Sequence, residues 1–337
     1  MTLSKKFVDE FLVAWDDGEY EAQIKSMRQV SQAIKPVIPS LKASGGKPRS
    51  VQSTAQRAQA VRDRLSRTVR KVPEVMVKIT SACKGMTQVG RHIDYISRKG
   101  EIDLEDQDGL ILRGKVQLKD LKADWRSGGP EEIGQTSSRR DTLNIVFSMP
   151  AHTDEISMKR AVRAFAAAEF EGHQYVFAYH TQATDPDPDP PAHPHVHLSI
   201  KTQGWSGRRL NPRKADLQRW REGFAAQLRA HGIEANATSR LARLNRERGK
   251  KRSVVALLDK DQILHSVQQT GPSSAAEARG RDLQNQRRAY YSLVEQVLGQ
   301  SEIREDRKLA VELLQHFVLG PEPRNPSRGQ NQDLIQR

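Results

Sequence analysis

The chain is short of cysteine, of acidic residues relative to basic ones, and of long apolar runs. Among 337 residues the single cysteine is Cys83. An intrachain disulfide is therefore excluded, as is a zinc site built from paired cysteines, and a reducing compartment is expected. A membrane-spanning helix needs about 20 predominantly apolar residues; no such run occurs, and Met1 does not open a charged-then-apolar leader. The expectation is a cytoplasmic protein without membrane insertion. Asp and Glu number 41 against 55 Lys and Arg, a formal net charge of +14. Such an excess suits a polyanion as partner.

The pattern of apolar residues divides the chain into four regions. Residues 1–72 read as a basic, helical N-terminal extension: Phe7, Phe11, Leu12 and Trp15 recur at helical spacing, and Ser44-Gly45-Gly46-Lys47-Pro48 interrupts it. Within it, Arg57, Arg62, Arg64, Arg67 and Arg70 suggest a basic helix face, either solvated or in contact with DNA. Residues 73–243 alternate strands with helices. Strands are expected at 75–79, 143–149, 175–180 and 195–200, and helices at 86–97, around 116–125, after an N-cap at Thr153, and at 212–231 behind Asn211. The connections are long and varied, so the expected fold is α+β, a mostly antiparallel central sheet flanked by helices, with helical extensions at both ends. Residues 244–319 read as a basic and helical region, and 320–337 as a disordered tail.

Two stretches carry chemistry. In Ala192-His193-Pro194-His195-Val196-His197-Leu198, alternate residues of a strand share a face, so His195 and His197 stand side by side, with His193 as a further candidate. His180 joins them if the preceding strand pairs with this one around the stiff insert Asp185-Pro186-Asp187-Pro188-Asp189-Pro190-Pro191. Three imidazoles that leave positions open suit a catalytic metal. The second stretch is Gly90-Arg91-His92-Ile93-Asp94-Tyr95-Ile96-Ser97-Arg98-Lys99-Gly100. It sets Tyr95 near a helix end with Arg91, Arg98 and Lys99, cations that favour a phenolate and attract a phosphodiester.

Together these stretches resemble a known family. The segment from Ile93 to Gly100 is similar to the nucleophile motif of conjugative relaxases, closest to the P-type branch that includes the relaxase of T-DNA transfer. Asn144-Ile145-Val146-Phe147-Ser148-Met149-Pro150 resembles that branch's second motif, and His193-Pro194-His195-Val196-His197 its histidine motif. The likeness runs from about Val75 to Arg243. It implies an endonuclease sheet of the histidine-hydrophobic-histidine type. Tyr95 would attack a phosphodiester at an origin of transfer and remain on the 5′ phosphate. His180, His195 and His197 would hold Mg²⁺ or Mn²⁺, and Ser148 would touch DNA near the nick. The implied partners are single-stranded and supercoiled origin DNA, a relaxosome accessory protein and a type IV coupling protein, with export of the bacterial protein alongside the transferred strand.

Two positions depart from the family. Relatives carry Asp two residues after the first histidine, where this chain has Gln182, and some open the second motif with His, where it has Asn144. Asp189 of the insert is a candidate for the missing carboxylate. The general base for Tyr95 stays open between His193 and a metal-activated hydroxide. Two other readings are an inactive DNA-binding protein of the same fold and a rolling-circle replication initiator. The second is disfavoured because the tyrosine precedes the histidines.

Overall fold

Side chains that alternate along each strand give the middle of the chain a sheet with two chemically different faces. The computed structural model describes residues 2–19, 53–238 and 274–318. In chain order the elements are α1 (Lys5–Asp16), α2 (Thr54–Val69), β1 (Met76–Cys83), α3 (Gly85–Ile96), β2 (Leu104–Asp106), β3 (Ile111–Leu112) and α4 (Gly114–Ser127). There follow β4 (Thr142–Ser148), α5 (Glu155–Glu169), β5 (Tyr175–His180), β6 (His195–Lys201), α6 (Lys214–Ala230), α7 (Ser274–Gly299) and α8 (Arg304–Leu313). The break at Ser44, the basic run at 240–252 and the expected tail lie outside the described residues. No helix among the described residues is long and apolar enough to cross a membrane.

Residues 71–237 form one unit, and a second draws on both ends of the chain, 1–70 with 238–337. The end regions, expected as separate extensions, thus contribute to a single helical unit. Phe11, Leu12 and Trp15 of α1 share a core with Leu65 of α2, Tyr291 and Val294 of α7, and Leu313 of α8. The basic face expected on α2 is largely spent on acids. Arg62 pairs with Asp9 at 2.6 Å and Asp306 at 2.7 Å, Arg57 with Asp17 at 2.6 Å, and Arg64 with Asp16. Three of the five arginines are thus engaged by acids inside the unit.

The other unit is an α+β domain on a six-stranded sheet of order β1-β4-β6-β5-β2-β3, antiparallel at every pairing. Leu143, Ile145 and Phe147 of β4, Tyr175 and Phe177 of β5, and Val196, Leu198 and Ile200 of β6 turn to one face. There they pack on Phe165 of α5 and on Trp220 and Phe224 of α6. The opposite face is polar on β4 and β6 and is covered toward β5 and β2 by α3 and α4. Val89, Ile93 and Ile96 meet Leu118, Trp125, Leu104, Val176 and Ala178 there. Buried Lys201 donates its Nζ to the Trp125 carbonyl at 3.1 Å, a cation at the C-terminal end of α4.

Local chemistry moves several expected boundaries. Strands β2 and β3 lie in a region expected to hold only a helix; at three and two residues they are too short to show alternation. Asp154, not Thr153, caps α5 by accepting from the Ser157 amide at 2.7 Å, because the Thr153 hydroxyl donates to the Pro150 carbonyl at 2.8 Å. Helix α6 begins at Lys214 with Arg213 as its cap residue, while Asn211 accepts from Arg140 at 2.9 Å.

Gly85 sets the start of the helix that carries Tyr95. Its φ is +73°, its amide donates to Asp141 at 2.7 Å, and a Cβ there would lie 2.4 Å from the Gln135 carbonyl oxygen. Gly85→Ala is expected to destabilise the domain by about 2–4 kcal/mol, combining backbone strain with a clash. Gly109→Ala, with φ +81° but nothing within 4 Å, should cost only about 1–2 kcal/mol. Urea unfolding of the two variants checks the difference.

Candidate active site

The polar face concentrates its functional groups at one end of the central strands. In the antiparallel register His180 of β5 lies opposite His195 of β6, and His195 lies opposite Ser148 of β4. His197, two residues on, shares that face opposite Ala178. The ring centroids of His180, His195 and His197 are 5.2, 4.9 and 5.1 Å apart. Tyr95, on the last turn of α3, stands edge-on to His197 at 5.7 Å and is 53 % exposed, open to a macromolecular substrate.

One ring nitrogen from each of these histidines lies within 4.8 Å of the others. Metal–nitrogen bonds of about 2.0–2.1 Å require only a small inward movement from that spacing, so the donor set fits a divalent metal. Burial pushes His195 down to about 4 and His197 further below the usual histidine range, which keeps both in the neutral form that ligates. Both nitrogens of His180 are engaged: Nδ1 lies 2.8 Å from Asp185 Oδ2 and Nε2 lies 2.7 Å from the Ile96 carbonyl oxygen. Coordination by His180 would release one of these contacts.

The remaining expected residues divide. Arg98 turns inward: Nε and Nη2 donate to the two oxygens of Asp185 at 2.7 and 2.8 Å, and Nη1 donates to the Tyr95 carbonyl at 3.1 Å. Its guanidinium lies 4.9 Å from the Tyr95 ring centroid. That geometry commits Arg98 to the protein rather than to a phosphate. Arg91 and Lys99 are exposed. His193 lies 5.7 Å from the His195 ring, and among the described residues no contact joins it to Tyr95.

Two residues beside the cluster escaped the sequence reading. The carboxylate that reaches a histidine is Asp185, not Asp189; Gln182, at the family's Asp position, is exposed, while the Asp185 side chain is enclosed. The insert offers three Asp-Pro steps, and nothing in their order singles out the first. His92 is the other. Its ring lies 6.0 Å from that of Tyr95, and its buried Nε2 has no hydrogen-bond partner among the described residues. The three-residue spacing to Tyr95 on one helix was the available signal. Asn144, by contrast, serves the sheet. Its amide donates to Ser81 at 2.8 Å and accepts from Ser199 at 3.0 Å, linking β1, β4 and β6.

A pH dependence follows for the metal-free domain. Burial pushes His92 and His195 down to about 4, whereas unfolding returns each to an ordinary value of about 6.5. The unfolded state therefore takes up protons first as pH falls. Stability is complete above about pH 6.5 and declines toward about pH 4, by roughly 2–3 kcal/mol for each ring. Urea midpoints at about pH 7.5 and pH 4.5 check this, and His92→Leu should remove its share of the decline. Equal midpoints would overturn the account.

No curated protein matches this sequence. A family model described as "Relaxase: MobA/VirD2-like, nuclease domain" matches residues 95–233. The match opens on Tyr95 and takes in all three clustered histidines. Residues 95–233 thus belong to a nuclease domain of the MobA/VirD2-like relaxase family.

Proposed function

We propose that this domain nicks one strand of DNA by transesterification at Tyr95, at the origin of transfer of a plasmid or integrative element. The observation that carries this reading is an exposed tyrosine edge-on to half-buried His197 of a three-histidine cluster whose other two members are buried. The Tyr95 oxygen forms a bond to phosphorus as the bond from phosphorus to the 3′ oxygen breaks. The phenolic proton is lost and the departing 3′ oxygen takes one up, leaving a free 3′ hydroxyl and the 5′ phosphate on the protein. Of the imidazoles beside the triad, His92 contacts Tyr95 and so is better placed than His193 to exchange that proton. A divalent metal on His180, His195 and His197 would supply charge neutralisation at the phosphoryl oxygens.

Ser148, in line with the histidines, suits a contact near the nick, and exposed Arg91 and Lys99 suit phosphates on either side. The donor set holds no carboxylate, which makes Mn²⁺ a better match than Mg²⁺, whose preference is for oxygen. Covalent attachment would let the protein pilot the strand through a type IV coupling protein, with a relaxosome accessory protein at the origin. The contact of Asp185 with His180 speaks against the inactive-descendant reading, because a carboxylate is present at the histidines despite Gln182.

Labelled single-stranded DNA carrying candidate origins tests the reading. Wild-type protein with Mn²⁺ should give an adduct that survives SDS. Tyr95→Phe should lower its formation by about 10³-fold or more while leaving DNA affinity intact. Cleavage that survives Tyr95→Phe would place the nucleophile elsewhere. His195→Ala should weaken Mn²⁺ binding and nicking together, and an unchanged metal titration would remove it from the site. DNA affinity should also fall steeply between about 50 and 200 mM salt through counterion release; a flat response would count against phosphate contacts.

A further inference from the structure

We infer that Arg98 and Asp185 form a clamp that fixes the end of the Tyr95 helix to the histidine cluster, making both of them positioning residues for nicking. This inference rests on the nicking function proposed above. The first ground is backbone geometry. Helix α3 ends at Ile96, and the next turn holds Arg98 at φ 49° and Lys99 at φ 58°, both left-handed. Residues with side chains avoid that region, and two in succession persist only where surrounding structure holds them.

The second ground is what holds them. The Arg98 fork grips both Asp185 oxygens, and the same carboxylate meets His180 Nδ1 on its other side. His180 Nε2 faces the carbonyl of Ile96, the residue after Tyr95. Without a metal, Tyr95, Arg98, Asp185, His180 and Ile96 therefore form a closed circuit of contacts between the nucleophile's helix and the first histidine; coordination through His180 Nε2 would open it at Ile96 and leave the links through Arg98 and Asp185 in place. Asp185 is itself locked: its amide donates to the Thr181 carbonyl at 3.0 Å, and its Oδ1 accepts from the Asp187 amide at 3.1 Å. The pair is enclosed, with side chains 15 % and 0 % exposed. Solvent screening thus does little to weaken it, and losing one partner strands a buried charge.

Arg98→Lys keeps the charge but loses the fork, Asp185→Asn removes the carboxylate, and Arg98→Met/Asp185→Asn removes both sides. Circular dichroism establishes which variants fold, and Arg98→Lys carries the test if the others do not. Expected for each single variant is a fall of about 10–100-fold in the rate of adduct formation at saturating DNA, with DNA affinity within about threefold. Mn²⁺ affinity, titrated without DNA, should fall about tenfold, and tryptic cleavage after Lys99 should accelerate. The double variant should be no worse than the more damaging single, because the two residues act as one unit. Wild-type adduct rate, Mn²⁺ affinity and tryptic pattern in the folded single variants would overturn the clamp, as would losses that multiply in the double variant. If wild-type protein forms no adduct, the nicking reading fails alone, and the Mn²⁺ and trypsin measurements still decide the clamp.

Discussion

Antiparallel pairing of β5 with β6 is the constraint on which the site depends. In that register His180 faces His195 across the ladder, and His197 falls on the same side one step along. Side chains on a strand alternate, so a slip of one residue would send both β6 histidines into the apolar layer against α5 and α6. That layer prevents the slip. Val196, Leu198 and Ile200 are fully buried there among Phe147, Phe165 and Phe224, and exchanging them for imidazoles would cost far more than one cross-strand contact supplies. The hydrophobic core thus fixes the orientation of polar groups that it never touches.

The same logic explains what was legible in the sequence. The apolar runs at 143–149, 175–180 and 195–200 mark strands because most of their side chains are buried, and alternation along the last of them set His195 beside His197. Tyr95 stood out through the motif around it. Asp185 did not, because its role depends on how a proline-stiffened insert folds back beneath Arg98, and three Asp-Pro steps look alike in one dimension. Arg98 reads in sequence as a phosphate contact for a related reason: its charge is visible, but the acid that takes up that charge lies 87 residues away. The union of the chain ends was equally hidden, since it rests on packing between α1, α2, α7 and α8.

The departures from the family pattern resolve into two different kinds of event. Where the family motif has an acid, Gln182 is exposed, and a carboxylate three positions on, Asp185, meets the histidine from another backbone position. Asn144 fills no vacancy; it binds three strands together through Ser81 and Ser199. A substitution at a motif position can therefore be compensated locally or reassigned to the scaffold. Only the first kind keeps that position's chemistry at the site.

The route of the chain has a mechanical consequence. The nuclease unit is an insertion between segments that return to a common helical unit, and its entry and exit run side by side. The Val75 amide donates to Asn236 at 2.9 Å, and the Asn236 amide donates to Pro73 at 2.8 Å. A pull on the polypeptide at the two ends of this unit would load that pairing before it loaded the sheet. The two backbone hydrogen bonds would then resist in shear, as a short zipper across the neck of the insertion. If the domain were drawn apart from its two ends, these bonds would have to part before the force reached the helix that carries Tyr95.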